Sequence, residues 1–153
     1  MIPDHGRAHH WTSNRRLILV GRIAVLAAGY LGLLIPFRAW RSGVYRELEK
    51  NTRVVSTRVG DIEYAMVGDG PPVLYVHSGY GGADRALAIE GYRVVTPSRP
   101  GYLRTSLAVG SSLEGQARMF ATLLDSLGIP VVAVVTGSAG GPAALEFAAR
   151  YPD

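Results

Sequence analysis

Hydrophobic and polar positions follow three different rhythms along the chain. Over residues 17–37 (LILVGRIAVLAAGYLGLLIPF) apolar residues stand on every side, interrupted by a single charge, Arg22. A helix of that length, at ~1.5 Å per residue, covers roughly the 30 Å hydrocarbon core of a bilayer. The pattern therefore predicts a transmembrane helix over 17–37, with a basic polar tail over 1–16 and a linker over 38–51. Tyr30, Phe37 and Trp40 add interfacial aromatics toward one end, and Arg22 lies close enough to the start to snorkel back beside Arg15 and Arg16. A cleaved signal peptide competes, although the run is longer than an ordinary apolar signal core and no A-x-A site follows it. A buried core helix fits less well, because the run has no polar stripe. Arginines flank both ends, so the distribution of charge does not orient the span.

From residue 52 onward the rhythm shortens. TRVVSTRVG and DIEYAMVG are β-rich runs that predict a hairpin turning at Gly60 and Asp61. VLYVH (73–77) and VVAVV (131–135) are apolar runs of strand length, and YRVVTP (92–97) reads as another short buried strand. Between them, ADRALAIE predicts a helix ending at Gly91. Ser111-Ser112-Leu113-Glu114 reads as a capping box for a helix closed by Gly128. Residues 139–150 predict a last, largely buried helix. Strands apolar on both faces and alternating with helices imply an α/β fold with a parallel sheet, here preceded by an antiparallel hairpin.

Composition changes the picture in two places. The 153 residues include no cysteine, which excludes disulfides and thiolate metal sites. The net charge of +4 does not mark a nucleic-acid surface. Residues 1–58 hold ten Lys and Arg against three Asp and Glu, whereas residues 59–153 hold six against nine, so the globular part is acidic.

The chemistry concentrates in VVTGSAGGPAALEF. A serine on a tight turn between strand and helix is held with its hydroxyl exposed, provided the residues around it are small; here they are Thr136, Gly140 and Gly141. The helix that follows turns its free amides and positive end toward that hydroxyl, where negative charge develops during acyl transfer, and the amide of Ala139 is a natural donor. Taken alone, the turn fits a phosphate-binding or an ordinary strand-to-helix connection as well.

Three ordered motifs, VHSGYGG, GYRVVTPSRPGYLRTS and VVTGSAGGPAALEFAARYPD, together resemble the first half of the α/β-hydrolase fold superfamily, and the run PSRPGYLRTS followed by SAGGPAAL resembles a bacterial group within it. The likeness covers residues 52–153. It implies a serine hydrolase with Ser138 as nucleophile, an oxyanion hole from the amides of Ala139 and Gly79, and His77 supporting the oxyanion loop. Small-molecule esters or other acyl compounds are the implied substrates, with no cofactor and no metal. Serine at 138 argues against the branches that need a carboxylate nucleophile. Thr136 and Ser78 stand where the family has glycine. Tyr80, Tyr102 and Arg99 border the site, in positions where loop aromatics and arginines more often serve surface packing.

In that family the acid and the histidine of the triad follow the serine in the chain. The four histidines here, His5, His9, His10 and His77, all precede Ser138, and Glu146 and Asp153 are poorly placed as the acid. The sequence thus predicts a truncated hydrolase domain over 52–153, membrane-anchored by a single pass, inactive alone and with an open sheet edge prone to self-association. The contrasting expectation is a non-catalytic, membrane-tethered binding module built on the same half-fold.

Overall fold

The computed structural model describes residues 7–152, with side chains from residue 15 onward. The chain divides into two compact units, residues 1–44 and 45–153. Helix α1 (Arg7–Leu48) runs without a break through 17–37 and most of the stretch expected as a linker. Part of the expected polar tail, residues 1–6, lies outside the described residues. Leu26, Leu33 and Ile35 are all well exposed on α1, so its apolar surface lacks the burial of a core helix. Pro36 sits inside the helix, where it removes one rung of the hydrogen-bond ladder, and Phe37 and Trp40 stack at 5.9 Å one turn later. Among the described residues this is one helix long and apolar enough to cross a membrane, with a mean hydropathy of 2.2 over its apolar window.

The second unit is a five-stranded mixed sheet in the order β1-β2-β4-β3-β5, formed by β1 (Arg53–Thr57), β2 (Gly60–Val67), β3 (Pro72–Val76), β4 (Arg93–Pro97) and β5 (Ala133–Thr136). β1, β2 and β4 pair antiparallel, while β4, β3 and β5 run parallel. The hairpin forms as expected, but Thr57 pairs with Gly60, so the turn is Arg58-Val59 and not Gly60-Asp61. Gly60 opens β2 at φ +120, a conformation that favours glycine.

Alternation along the strands separates two faces. Ile62, Tyr64, Leu74, Val76 and Val95 pack against α2 (Leu113–Ser126) and α3 (Gly141–Arg150), whose Ala117, Phe120, Leu123, Ala144 and Phe147 complete the main core. Phe120 and Phe147 meet edge to face at 6.0 Å. The cap of α2 is Ser112, whose hydroxyl accepts from the Gly115 amide. Glu114 is not the second half of a capping box; it pairs with Arg118 and Arg150. α3 is two-faced and not buried throughout: Ala143, Ala144 and Phe147 are covered, and Leu145 is 73% exposed.

The helix expected over ADRALAIE does not form. The 77–92 crossover between β3 and β4 contains only a 3₁₀ turn at Ala83–Arg85 and continues in extended backbone at Ala86. Eight residues are too few for a helix without strong tertiary support, and Asp84 Oδ1 takes the Gly82 amide at 2.7 Å, a local bond that competes with helical pairing. Only Ala83 from this segment becomes buried apolar core.

The other sheet face carries a fully buried carboxylate, Glu63. Its Oε1 accepts from Thr52 Oγ1 at 2.7 Å and Arg104 Nε at 2.9 Å, and its Oε2 from Ser98 Oγ at 3.0 Å and the Arg104 amide at 3.1 Å. The Glu63 amide donates to Thr105 Oγ1, and its carbonyl accepts from the Ser98 amide. One side chain thus fastens the loop after β4 to β2. Removing the cation while leaving the carboxylate buried is strongly destabilising. Arg104→Met is expected to lower unfolding free energy by about 3 kcal/mol, with part recovered on adding Glu63→Gln, as read from denaturant midpoints.

Candidate active site

Ser138 lies two residues past the end of β5 and adopts φ 45, a left-handed conformation that among the described residues only one other non-glycine residue, Leu103, shares. The turn is held from both sides. The Gly137 amide donates to the Val76 carbonyl at 3.2 Å, and Thr136 Oγ1 donates to the same oxygen at 3.2 Å. Thr136, where the family motif has glycine, therefore adds a tie from β5 to β3. A Cβ on Gly140 would collide with the carbonyl oxygens of Val76 and His77 and with Thr136 Oγ1, so this position requires glycine. Around Gly141 the corresponding space is open, and packing makes no such demand. The result is an exposed Ser138 at the foot of a 3₁₀ turn that leads into α3, with Pro142 in the first helical turn where no amide bond is lost.

His77 ends the β3 run and is 1% exposed. Its Nε2 accepts from the Arg99 amide at 3.0 Å, which fixes the proton on Nδ1, and Nδ1 donates to the Ser78 carbonyl at 2.7 Å. Burial, with the nearby Arg99 charge, holds its pKa below the ordinary histidine value against the opposing pull of the Ser78 hydrogen bond and Asp84. The ring is neutral, with both nitrogens engaged.

Gly79 lies two residues on, exposed and with open space around it. Arg99 Nη1 donates to the Ala139 carbonyl at 2.9 Å and Nη2 to the Ser78 carbonyl at 3.3 Å. Tyr102 stands edge-on to His77 at 4.8 Å, under the Arg99 guanidinium, and its hydroxyl donates to the Gly79 carbonyl at 3.1 Å. The structure thus brings Ser138, Ala139, Gly79 and His77 into one neighbourhood through side chains that the sequence marked only as surface packing. Tyr80 stays outside, 90% exposed. Among the described residues no group of three or more His, Cys, Asp or Glu is placed to hold a metal ion. A cavity of about 370 Å³ lined by Leu124, Asp125, Ile129, Val132, Phe147 and Tyr151 lies toward the opposite end of β5.

The backbone at 138–140 leads to opposed stability effects at neighbouring positions. Ser138→Gly removes the left-handed strain and is expected to raise unfolding free energy by about 0.5–1 kcal/mol. Gly140→Ala is expected to lower it by about 2 kcal/mol through overpacking. Thermal melts of the two variants check both signs.

Comparison with known proteins places these features in a family. Residues 71–153 match the model of the alpha/beta hydrolase fold. The chain is 39% identical over 111 residues to the uncharacterized hydrolase YcgS of Bacillus subtilis, covering 69% of this chain and 39% of that protein. It is 33% identical over 103 residues to 2-hydroxy-6-oxo-6-phenylhexa-2,4-dienoate hydrolase of Comamonas testosteroni, covering 60% of this chain and 36% of that one. Among solved structures, an alpha/beta hydrolase fold protein from Nakamurella multipartita superposes with a TM-score of 0.62 at 41% identity, over 67% of this chain and 37% of the other. The chain therefore spans about two fifths of the length of the relatives it matches. With a family model that covers more than half of its residues, the chain belongs to the α/β-hydrolase fold family.

Proposed function

We propose that the protein is a membrane-anchored serine hydrolase acting on small-molecule esters or related acyl compounds, with Ser138 as nucleophile, and that residues 1–153 alone are inactive because they supply neither the acid nor the histidine of a triad. The observation that carries this reading is the left-handed backbone at Ser138 between β5 and α3, a strained placement kept at the exposed end of a parallel strand. In the proposed mechanism the Ser138 hydroxyl adds to the substrate carbonyl as its proton passes to a general base other than His77, the amides of Ala139 and Gly79 stabilise the oxyanion, and its collapse expels the protonated leaving group to give an acyl-serine that water hydrolyses. His77 supports that loop and does not serve as general base, because both its nitrogens are already engaged. Hydrolysis of a small organic substrate, as named for the Comamonas relative, agrees with the reading.

The non-catalytic alternative, a tethered binding module, draws on one observation: residues 52–153 contain a single histidine, and it is His77. Fluorophosphonate labelling of the protein in membranes of its native host separates the two. A hydrolase labels at Ser138, loses the label in Ser138→Ala, and loses ester turnover at least ~10³-fold in the same variant. An unlabelled Ser138 in the native protein supports the binding module instead.

Anchoring through 17–37 rests on the length and hydropathy of α1. The full chain is expected to resist alkaline carbonate extraction and to become extractable when residues 17–37 are deleted. A mature protein whose mass begins beyond residue 37 would mark the segment as a cleaved signal.

A further inference from the structure

Gly79 raises a physical problem. It is exposed, it has no Cβ, and nothing stands within 4 Å of where a Cβ would be, so packing does not fix its backbone. An amide that is to meet a developing oxyanion has to be oriented beforehand, since a donor that must reorganise during the reaction contributes little.

The fixing contacts arrive through the two carbonyls that flank the residue. The amide of Gly79 belongs to the same planar peptide unit as the Ser78 carbonyl, pointing the opposite way. That carbonyl accepts from two donors, His77 Nδ1 at 2.7 Å and Arg99 Nη2 at 3.3 Å. The next peptide unit is held by Tyr102 Oη, which donates to the Gly79 carbonyl at 3.1 Å. The other amide in question, that of Ala139, lies across the site, and the carbonyl of the same residue accepts from Arg99 Nη1 at 2.9 Å. One guanidinium thus bridges the loop after β3 and the serine turn after β5. Its backbone amide closes the circuit on His77 Nε2.

We propose that Arg99 is a positioning residue for the oxyanion hole: its two Nη groups fix the Ser78 and Ala139 carbonyls relative to each other and so aim the Gly79 amide at the Ser138 reaction centre. This rests on the reading of Ser138 as a nucleophile. Donation to the Ser78 carbonyl also polarises that peptide, which strengthens its N–H as a donor. The planar fork of arginine reaches two carbonyls on different segments at once, whereas a lysine ammonium on its flexible stem reaches one at a time.

The test combines NMR and kinetics on the protein as its native host makes it, in detergent micelles, comparing wild type, Arg99→Met and Arg99→Lys. In wild type the Gly79 amide is expected to be rigid, with an order parameter near 0.85 despite its exposure, and the Arg99 Nη groups to give separate, slowly exchanging signals. Arg99→Met is expected to drop the Gly79 order parameter below about 0.6 and to slow phosphonylation of Ser138 by a p-nitrophenyl phosphonate about ten- to hundredfold. The loss falls on the maximal rate, with half-saturation unchanged, and Arg99→Lys recovers part of it. A Gly79 amide already mobile in wild type, freely exchanging Nη groups, or a variant with unchanged Gly79 dynamics and labelling rate overturns the proposal. Wild-type Ser138 that resists labelling while Gly79 still responds to Arg99 overturns the nucleophile reading and leaves the positioning of the loop established. Should both variants fail to fold, the wild-type Nη and Gly79 signals decide.

Discussion

A carboxylate with no access to water must have its oxygens satisfied by the protein, and Glu63 imposes that requirement on much of the globular unit. Its four donors come from Thr52 before the sheet, Ser98 at the end of β4, and the side chain and backbone of Arg104. Satisfying them draws the 98–105 loop down onto the sheet. Ser98 passes the constraint on, because its hydroxyl also accepts from the Ala83 amide at 2.9 Å, which ties the irregular β3–β4 crossover to the same point. A crossover without an α-helix keeps its shape in this way, through polar contacts where a helix would have used an apolar face.

The same anchoring determines where Arg99 stands. One residue after Ser98, it leaves the buried network and enters the rim of the serine turn, with Tyr102 three residues further on. Structural and chemical roles therefore sit side by side on one loop: Ser98, Arg104 and Thr105 hold it down, while Arg99 and Tyr102 reach outward to the carbonyls of Ser78, Gly79 and Ala139. The buried polar face and the exposed site are two sides of a single arrangement.

What was legible in the sequence was local. β3 was marked by an apolar run, β4 by its short Val-Val core, the end of α2 by Gly128, and the serine turn by small residues at fixed offsets. What escaped depended on partners distant in the chain. The role of Glu63 follows from residues up to 42 positions away, and nothing around it in β2 separates it from a solvent-facing glutamate. Arg99 and Tyr102 carried no signal beyond their residue type, and their worth came from carbonyl groups, which no side-chain pattern encodes. ADRALAIE had helical composition but not the length or the packing partner to realise it, and Leu145 interrupts a run of small apolar residues that composition alone assigns to the interior.

The pairing of β3 with β5 also bears on how the molecule is built over time. Thr136 reaches Val76 across 60 residues of chain, whereas the β1–β2 hairpin and the β3–β4 pair close over much shorter spans. Closing the longer loop has the larger entropic cost. During synthesis the earlier strands leave the ribosome first, and β3 becomes a template waiting for β5. The strained conformation of Ser138 depends on the same long-range pairing, because Gly140 lies against the carbonyls of Val76 and His77 at the end of β3. A chain in which β5 has not yet paired with β3 carries an ordinary, unstrained serine at 138.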